Sequence, residues 1–251
     1  MYARGHARVR ARERRKNMEE NTKREIQQAI QQVVKQNDLI QKSRFDLSLQ
    51  EQKILLYIIS TIKPADLNFK EITFQIQDFC KICGLDEESG ANYAHIRNTL
   101  KELRDKSIYV KFGKRSEVTL AWIDYVILSE KDGTAKLKLN ELMKPFLLEM
   151  KEKFTSYKLH SIIAMQSKYS IRLYELLKSY EELGECQFEI DRLKVLIGAE
   201  KYEIFANFKQ KALDIAMREI EKFGDIQVSY TLKKQGRKFH MINFLIKSSS
   251  S

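Results

Sequence analysis

The sequence predicts an α+β protein made of two tandem winged-helix domains that are related by internal duplication. Three observations support this fold class. A chain of 251 residues is long enough for two domains of ordinary size. An eleven-residue motif occurs twice, as FQIQDFCKICG at 74–84 and FEIDRLKVLIG at 188–198. Each copy follows a helix and precedes a long helix and two strands around a basic turn, which is the order of a winged helix.

In the first half, each element has a local signal. Helical periodicity runs over 19–36, and 36–45 is predicted to be extended. Ser48 and Glu51 have the spacing of a capping box, which predicts a helix that ends before Pro64. The remaining predicted elements are a strand at 70–76, a short helix at 77–83, a long helix at 92–106, strands at 107–112 and 117–128 around a basic turn at 113–116, and a strand after Asp132–Gly133.

In the second half, glycines mark the ends of three predicted helices. The predicted elements are helices at 168–183, 191–197 and 203–223, a strand at 186–190, and a hairpin that turns at Gln235–Gly236. We therefore divide the chain into a basic flexible arm (1–24), an N-terminal winged-helix domain (25–150), a C-terminal winged-helix domain (151–247) and a disordered tail (248–251).

Composition excludes several classes of protein. With 43% hydrophobic and 31% charged residues, the chain is not predicted to be disordered. Nowhere do eighteen apolar residues follow one another, so no membrane span is expected. The basic N-terminus has no apolar segment of a secretory signal, and three cysteines are too few to staple the chain, so we expect a protein of the reducing cytoplasm. Cys80 and Cys83 lack the further ligands of a zinc site, and Cys83 aligns with the core residue Ile197. We expect no metal and no cofactor.

The positive charge is concentrated in three segments. The chain has 45 basic and 34 acidic residues, a net charge of +11. Residues 1–24 hold nine bases and three acids, residues 92–115 hold seven bases and two acids, and residues 231–247 hold five bases and no acid. Such local excess suits a polyanion, because each neutralised phosphate releases condensed counterions. An ordinary solvated surface is the alternative for any single segment.

In the second domain, the third helix and the hairpin carry the candidate DNA contacts. Amides can bond adenine in the major groove and Lys or Arg can bond guanine, whereas a wing grips the backbone or the minor groove. Lys209 flanks the buried stripe and is predicted to extend towards phosphate. The candidate base readers are Asn207, Gln210, Lys211 and Arg218; the candidate wing contacts are Lys233, Lys234, Arg237 and Lys238.

Two further groups complete the predicted interface. At the start of the 168–183 helix, Lys168, Tyr169 and Arg172 are predicted to bind phosphates together with the helix N-terminal N–H groups. In the first domain, His95, Asn98 and Lys101 lie on the predicted outer face of the long helix, with Arg97 at its edge. The turn Lys114–Arg115 is predicted to be the tip of the first wing.

No phosphate-binding loop, dinucleotide motif or nicking motif is found in the sequence, so we do not expect an enzyme.

Several segments resemble the iteron-binding replication initiators of theta-replicating plasmids, the Rep family. These are NDLIQ (37–41), LSLQEQKILLYIIS (47–60), SKYSIRLYELLKSY (167–180), FEIDRLKVLIGA (188–199) and the F-x-x-F-K helix (205–209). The resemblance covers about 37–246 and leaves out the basic arm.

The resemblance implies two winged-helix domains that bind one direct repeat of duplex origin DNA, with the second domain as the main reader. It also implies opening of adjacent AT-rich DNA and recruitment of a host initiator and the replicative helicase. The protein would then act in a bacterial cytoplasm, associated with nucleoid or plasmid DNA. A homodimer, in equilibrium with the monomer and joined through the first domain with 117–139 as candidate surface, would repress the protein's own gene.

Two alternatives remain open at this point. A dimeric winged-helix transcriptional repressor without a replication role would need the same DNA contacts, so the sequence does not separate it from an initiator. A plasmid-processing nuclease or relaxase would instead nick supercoiled origin DNA when a divalent metal is present.

Overall fold

The computed structural model describes residues 32–63, 66–86, 89–112, 116–148 and 154–249. Within these ranges the chain forms two similar units, each with three principal helices and a three-stranded antiparallel sheet. The predicted basic arm 1–24 lies outside the described residues. No helix in these ranges is both long enough and apolar enough to cross a bilayer.

Three helices form the core of the first domain. Helix α2 begins after Ser48, whose hydroxyl accepts a hydrogen bond from the N–H of Glu51, while the Glu51 carboxylate accepts one from the N–H of Ser48. The capping box predicted from the sequence is therefore present. The helices of this part of the chain are α1 (Asn37–Lys42), α2 (Leu49–Ser60), α3 (Ile76–Ile82), α4 (Gly90–Asp105) and the short α5 (Lys144–Leu147).

Two antiparallel sheets flank these helices. The first contains β3 (Ile72–Gln75), β7 (Thr134–Leu139) and β6 (Ile123–Ser129), in that order. The second contains β2 (Ser43–Arg44), β4 (Ser107–Phe112) and β5 (Ser116–Ala121), also in that order.

The second domain repeats the arrangement of three helices and one sheet. Its long helix runs over 205–223 and contains a π-helical segment, Lys209–Leu213, between two α-helical parts. The helices are α6 (Leu159–Ile163), α7 (Lys168–Lys178), α8 (Ile190–Ile197), α9 (Phe205–Phe208) and α10 (Asp214–Phe223), and the sheet order is β10 (Ile226–Gln235), β11 (Lys238–Ser248), β9 (Glu185–Glu189).

The structure confirms the internal duplication. In each domain a short strand passes directly into the second helix, as β3 into α3 and β9 into α8. The two helices end in the same way, at Gly84 and Gly198, which have positive φ angles of 66° and 71°. The residue after each glycine donates its N–H to the carbonyl five residues earlier, at 2.9 and 2.8 Å. Glycine is favoured at both positions because a side chain is strained at such φ angles.

The sheet pairing corrects the identity of the wing in the first domain. In the second domain β9 pairs with β11 and β11 with β10, and the equivalent pairs in the first domain are β3–β7 and β7–β6. The first wing is therefore β6–β7 with its turn at 130–133, and the second wing is β10–β11. The predicted wing turn Lys114–Arg115 was wrong: it belongs to the β4–β5 connection and lies outside the described residues.

This error has a physical cause at Trp122. The segment 117–128, predicted as one strand, is divided there between β5 and β6, which belong to different sheets. The indole is fully buried and packs edge-on against Phe45 at 5.3 Å between ring centres. Apolar residues typical of strands continue on both sides of the tryptophan, and no glycine or proline separates them, so composition alone does not reveal the change of sheet.

The first described residues also differ from expectation. Residues 32–36 form strand β1 rather than the end of a helix, and residues 37–42 form α1 rather than an extended connection. Strand β1 pairs antiparallel with β8 (Phe154–Lys158), so a long-range pairing decides its conformation against the local helical pattern. This two-stranded sheet joins chain segments on either side of the predicted 150/151 boundary. At the other end, Ser248 is still part of β11 rather than of a tail.

Candidate nucleic-acid interface

The long helix of the second domain presents a polar face opposite a buried one. Its buried side consists of Phe208, Ala212, Leu213, Ala216 and Ile220. Four of the five sequence-predicted contacts on this helix are exposed: Asn207, Gln210, Lys211 and Arg218. The Nε of Arg218 donates to the carbonyl of Asp214 at 3.2 Å, and its two terminal nitrogens have no partner among the described residues. This face offers the amide and cationic donors that major-groove readout requires.

Lys209, the fifth predicted contact, has a partner within the domain. Its ammonium group contacts both carboxylate oxygens of Asp214, at 2.7 and 2.8 Å, and this hydrogen bonding raises the pKa of Lys209. The Tyr230 hydroxyl of β10 donates to the same carboxylate at 3.5 Å. Lys209 therefore helps to join the helix to the second wing, and the free phosphate contact predicted for it requires this ion pair to open.

The tip of the second wing is uniformly cationic. Lys233, Lys234, Arg237 and Lys238 are all exposed around Gly236 (φ 62°), and none of them contacts an acid among the described residues. The wing is anchored by Phe239, whose ring centre lies 4.8 Å from that of Phe205 at the start of the helix. The Lys234 ammonium lies 5.0 Å from the Phe239 ring centre. The four cations thus stand beside the polar face of the helix without internal compensation.

The start of α7 is less available than the sequence suggested. The Glu219 carboxylate accepts hydrogen bonds from the N–H groups of Gln166 and Ser167, each at 3.1 Å, so an internal anion already covers this end. Lys168 pairs with Asp46 at 2.9 Å. Tyr169 is buried against Tyr202, with 5.8 Å between ring centres, and burial raises the pKa of its hydroxyl. The predicted phosphate contact by Tyr169 is therefore wrong for this structure.

Arg172 requires the clearest correction. Its side chain is 4% exposed, and its guanidinium donates to Glu175 and to the carbonyls of Leu196 and Ile40 at 3.1–3.4 Å. It also lies 4.3 Å from the ring centre of Phe45. The predicted phosphate contact is wrong. It was inferred from the position of Arg172 near the start of the helix, and that position does not show that the first domain packs against α7.

Arg172 belongs to a buried polar network between the two domains. Lys35 of β1 contacts the Glu175 carboxylate at 2.6 Å, and the Tyr157 hydroxyl donates to the same group. Burial opposes ionisation of Glu175, but Lys35 and Arg172 together hold its pKa below the usual value. Each member has a partner, as buried charges require. The network fixes α7 against β1 and β8.

In the first domain, the long helix α4 has a smaller polar face. His95, Asn98 and Lys101 are exposed, as predicted. Arg97 faces the first wing instead and pairs with Glu130 at 2.7 Å. The first-wing turn reads Glu130, Lys131, Asp132, Gly133, so its charge is net negative.

Sequence reasoning missed a cleft between the domains. It has a volume of about 390 Å³ and is lined by residues of both halves, including Arg44, Tyr109, Lys168 and Lys201. The Arg44 guanidinium lies 4.8 Å from the Tyr109 ring centre. These cations lie on separate segments and share no motif, so only the packing of the two domains brings them together.

The cysteines and acids of the described residues form neither a metal site nor a reactive thiol site. No group of three His, Cys, Asp or Glu in the described ranges is placed to hold a metal ion. Burial raises the pKa of Cys83 to about 12 and that of Cys186 to about 12, so both thiols stay protonated and unreactive at neutral pH.

Two family models match successive parts of the chain. The model described as "Initiator Replication protein, WH1" matches residues 32–178, and the one described as "Initiator Rep protein, WH2" matches residues 189–246. The first match runs past the 150/151 boundary expected from the sequence and includes α7.

Curated relatives and solved structures are consistent with these matches. A "Replication initiation protein" of Escherichia coli is 23% identical over 207 residues, 78% of this chain and 63% of the relative. The "PI protein" of Escherichia coli is 30% identical over 147 residues, 51% of this chain and 48% of the relative. The chain thus spans about half to just under two thirds of the length of these relatives.

The solved structures establish the fold. The Pi initiator protein, crystallised in complex with iteron DNA, superposes with a TM-score of 0.72 at 20% identity, covering 87% of this chain and 97% of that one. Domains 2 and 3 of RctB superpose with a TM-score of 0.51 at 11% identity, covering 83% and 86%. With two winged helices in the order of the WH1 and WH2 models, this chain belongs to the initiator replication protein family.

Proposed function

We propose that this protein is a plasmid replication initiator that binds direct repeats in duplex origin DNA and promotes opening of the adjacent AT-rich DNA. One observation carries the proposal: the four uncompensated cations of the second wing lie beside the exposed amides and cations of the long helix. The wing supplies sequence-independent attraction to phosphate, and the helix supplies the donors that distinguish base pairs. Family membership and the Pi initiator–iteron complex support the same reading.

The contacts divide by role. Asn207, Gln210, Lys211 and Arg218 read bases, whereas the second wing positions the backbone, as does Lys168 when its ion pair with Asp46 opens. His95, Asn98 and Lys101 make the secondary contact in the first domain. The described residues contain no catalytic constellation on which to base a reaction, so we propose that the protein acts by binding and deforming DNA rather than as a nuclease.

A dimeric form is a second part of the proposal. Strand β6 is an edge strand, and its Ile127 is 56% exposed. An unpaired apolar edge favours pairing with a second copy, and 117–139 remains our candidate dimer surface. Such a dimer would bind an inverted repeat and repress the protein's own gene. Recruitment of a host initiator and the replicative helicase is carried over from the family.

The test combines DNA selection with plasmid maintenance. Duplexes selected by the full chain from a random library are expected to share one motif that recurs as direct repeats beside the gene. A plasmid that carries the gene and these repeats should be maintained. Maintenance that fails while a reporter is repressed would favour the repressor alternative, and metal-dependent nicking of supercoiled repeat DNA would favour the nuclease.

A further inference from the structure

Where α4 meets the first wing, an arginine of the helix is bound to an acid of the wing turn. Arg97 Nη1 lies 2.7 Å from Glu130 Oε1. The arginine side chain is 16% exposed, whereas the Glu130 side chain is 79% exposed. The guanidinium also lies 5.8 Å from the ring centre of Tyr93, one turn earlier on α4. The solvent-exposed Glu130 carboxylate thus binds the less exposed Arg97 guanidinium at the edge of the exposed face of α4.

The duplicated second domain shows what is particular to this arrangement. There the cation beside the wing, Lys209, pairs with Asp214 of its own helix rather than with a wing residue. The second wing adds only cations at its tip, whereas the first wing places Glu130 and Asp132 around its turn. The acid that reaches across to the helix is therefore a feature of the first domain alone.

A carboxylate and a DNA phosphate are equivalent partners for arginine. Both present two oxygens to the planar guanidinium fork, and the bidentate geometry is the same. The Glu130 carboxylate is largely in solvent, so releasing it from Arg97 costs less than breaking a fully buried ion pair. A phosphate that binds Arg97 also releases its condensed counterions.

We propose that Glu130 is an internal competitor for the phosphate site at Arg97. The first domain gains this contact only when a phosphodiester oxygen of the duplex displaces the Glu130 carboxylate. The inference rests on the proposed function, because it assumes that α4 faces DNA. It explains how two duplicated domains contribute unequally to binding, and it identifies Glu130 as the residue that weakens the first.

Two matched substitutions separate the specific ion pair from bulk charge. Glu130→Gln and Asp132→Asn each remove one negative charge from the same turn, but only Glu130 contacts Arg97. The duplex selected by the wild-type protein is titrated by fluorescence anisotropy at several salt concentrations. We expect Glu130→Gln to raise affinity roughly three- to ten-fold and to steepen the salt slope by up to about 0.9, because the Arg97–phosphate contact, which Glu130 keeps from forming fully in the wild type, then forms without a competitor. Asp132→Asn should change affinity less than about two-fold.

Arg97→Ala completes the cycle. In that background Glu130→Gln should give no further gain, because the cation for which Glu130 competes is absent. Equal gains from Glu130→Gln and Asp132→Asn would overturn the proposal in favour of bulk charge. A decrease of affinity in Glu130→Gln would also overturn it, since Glu130 would then be orienting Arg97 for DNA. Thermal unfolding of each variant confirms that the fold is unchanged.

The same titration reports on the proposed function separately. Lys233→Ala with Lys234→Ala should weaken binding to the selected duplex whether or not Glu130 competes. If this double variant binds as the wild type does, the proposed function is wrong, and the inference about Glu130 is overturned with it. If only the Glu130 cycle fails, the proposed function stands.

Discussion

The two wings of this protein have the same topology and opposite electrostatic character. Each is the hairpin that pairs with the short strand before the second helix of its domain. The second wing carries Lys233, Lys234, Arg237 and Lys238 around its turn, free of described acid partners, whereas the first carries Glu130, Lys131 and Asp132. Duplication preserved the scaffold, and the charges diverged. A cluster of basic residues in the sequence therefore predicts a phosphate contact more strongly where the structure leaves those residues without an acid partner.

The largest expected effect is on folding stability and concerns Arg172, the cation whose charge and donors are most fully bound within the structure. Arg172→Ala removes four hydrogen bonds to Glu175, Leu196 and Ile40 and leaves the buried network without one of its two cations. We expect the free energy of unfolding to fall by about 3–5 kcal/mol, measured by urea denaturation.

The matched control is the exposed arginine of the long helix. Arg218→Ala should change the free energy of unfolding by less than about 0.5 kcal/mol. An Arg172→Ala protein with wild-type stability but without DNA binding would show that Arg172 does bind phosphate, and it would break the distinction between compensated and free cations.

The second wing should give the largest effect on binding itself. Replacing its four tip cations by Ala should lower affinity for every duplex by about a hundred-fold at physiological salt. The salt slope should flatten by up to about 0.9 for each phosphate that is no longer neutralised. Salt-dependent anisotropy titrations with cognate and scrambled duplexes measure both quantities. The affinity for the two duplexes should fall equally, because phosphate contacts carry no sequence information.

A control of equal charge makes this measurement specific. It replaces four lysines that hold acid partners within the structure: Lys42, Lys70, Lys138 and Lys144. The affinity of this variant should fall much less than that of the second-wing variant. Equal decreases would show that net charge, rather than the free wing, governs attraction to DNA.

The helices of the two domains should differ in discrimination. Gln210→Ala should reduce the preference for the cognate base at one position of the repeat by about 1–3 kcal/mol, because the alanine cannot form a bidentate amide pair with the base. Asn98→Ala in the first domain should cost less. Competition among duplexes with single base-pair changes measures both. An unchanged preference in Gln210→Ala would mean that another face of the helix reads the DNA.

The sequence predicted the parts of the fold that depend on local chemistry. The capping box at Ser48, the paired glycine stops at Gly84 and Gly198, and the repeated strand–helix motif all appear in the structure as expected. Each of these signals lies within a few residues of the element it specifies. They were enough to establish the duplication and hence the architecture.

The errors concern features that long-range packing decides. Strand β1 forms because β8 is available to pair with it, and the first wing is defined by the pairing of β7 with β3. Likewise, Glu130, the partner of Arg97, lies in an element distant from it in the chain, as do Ile40 and Leu196, whose carbonyls bind Arg172. A helical wheel locates the face of a residue but not the acid or carbonyl that packs against it, so compensated cations looked the same as free ones.

The smallest expected effect concerns Lys131, the one cation of the first-wing turn. Glu130 and Asp132 flank it, so the local potential that a phosphate meets at this turn is negative despite the lysine. Lys131→Ala should therefore lower DNA affinity less than about two-fold and leave the salt slope within about 0.3 of the wild-type value. Lys234→Ala, the removal of one charge from the second wing, is the matched comparison in the same titration and should flatten the slope by up to about 0.9. If the two substitutions have equal effects on affinity and on the salt slope, the first wing contacts the DNA backbone as the second does. The difference in charge between the two wings would then have no effect on binding.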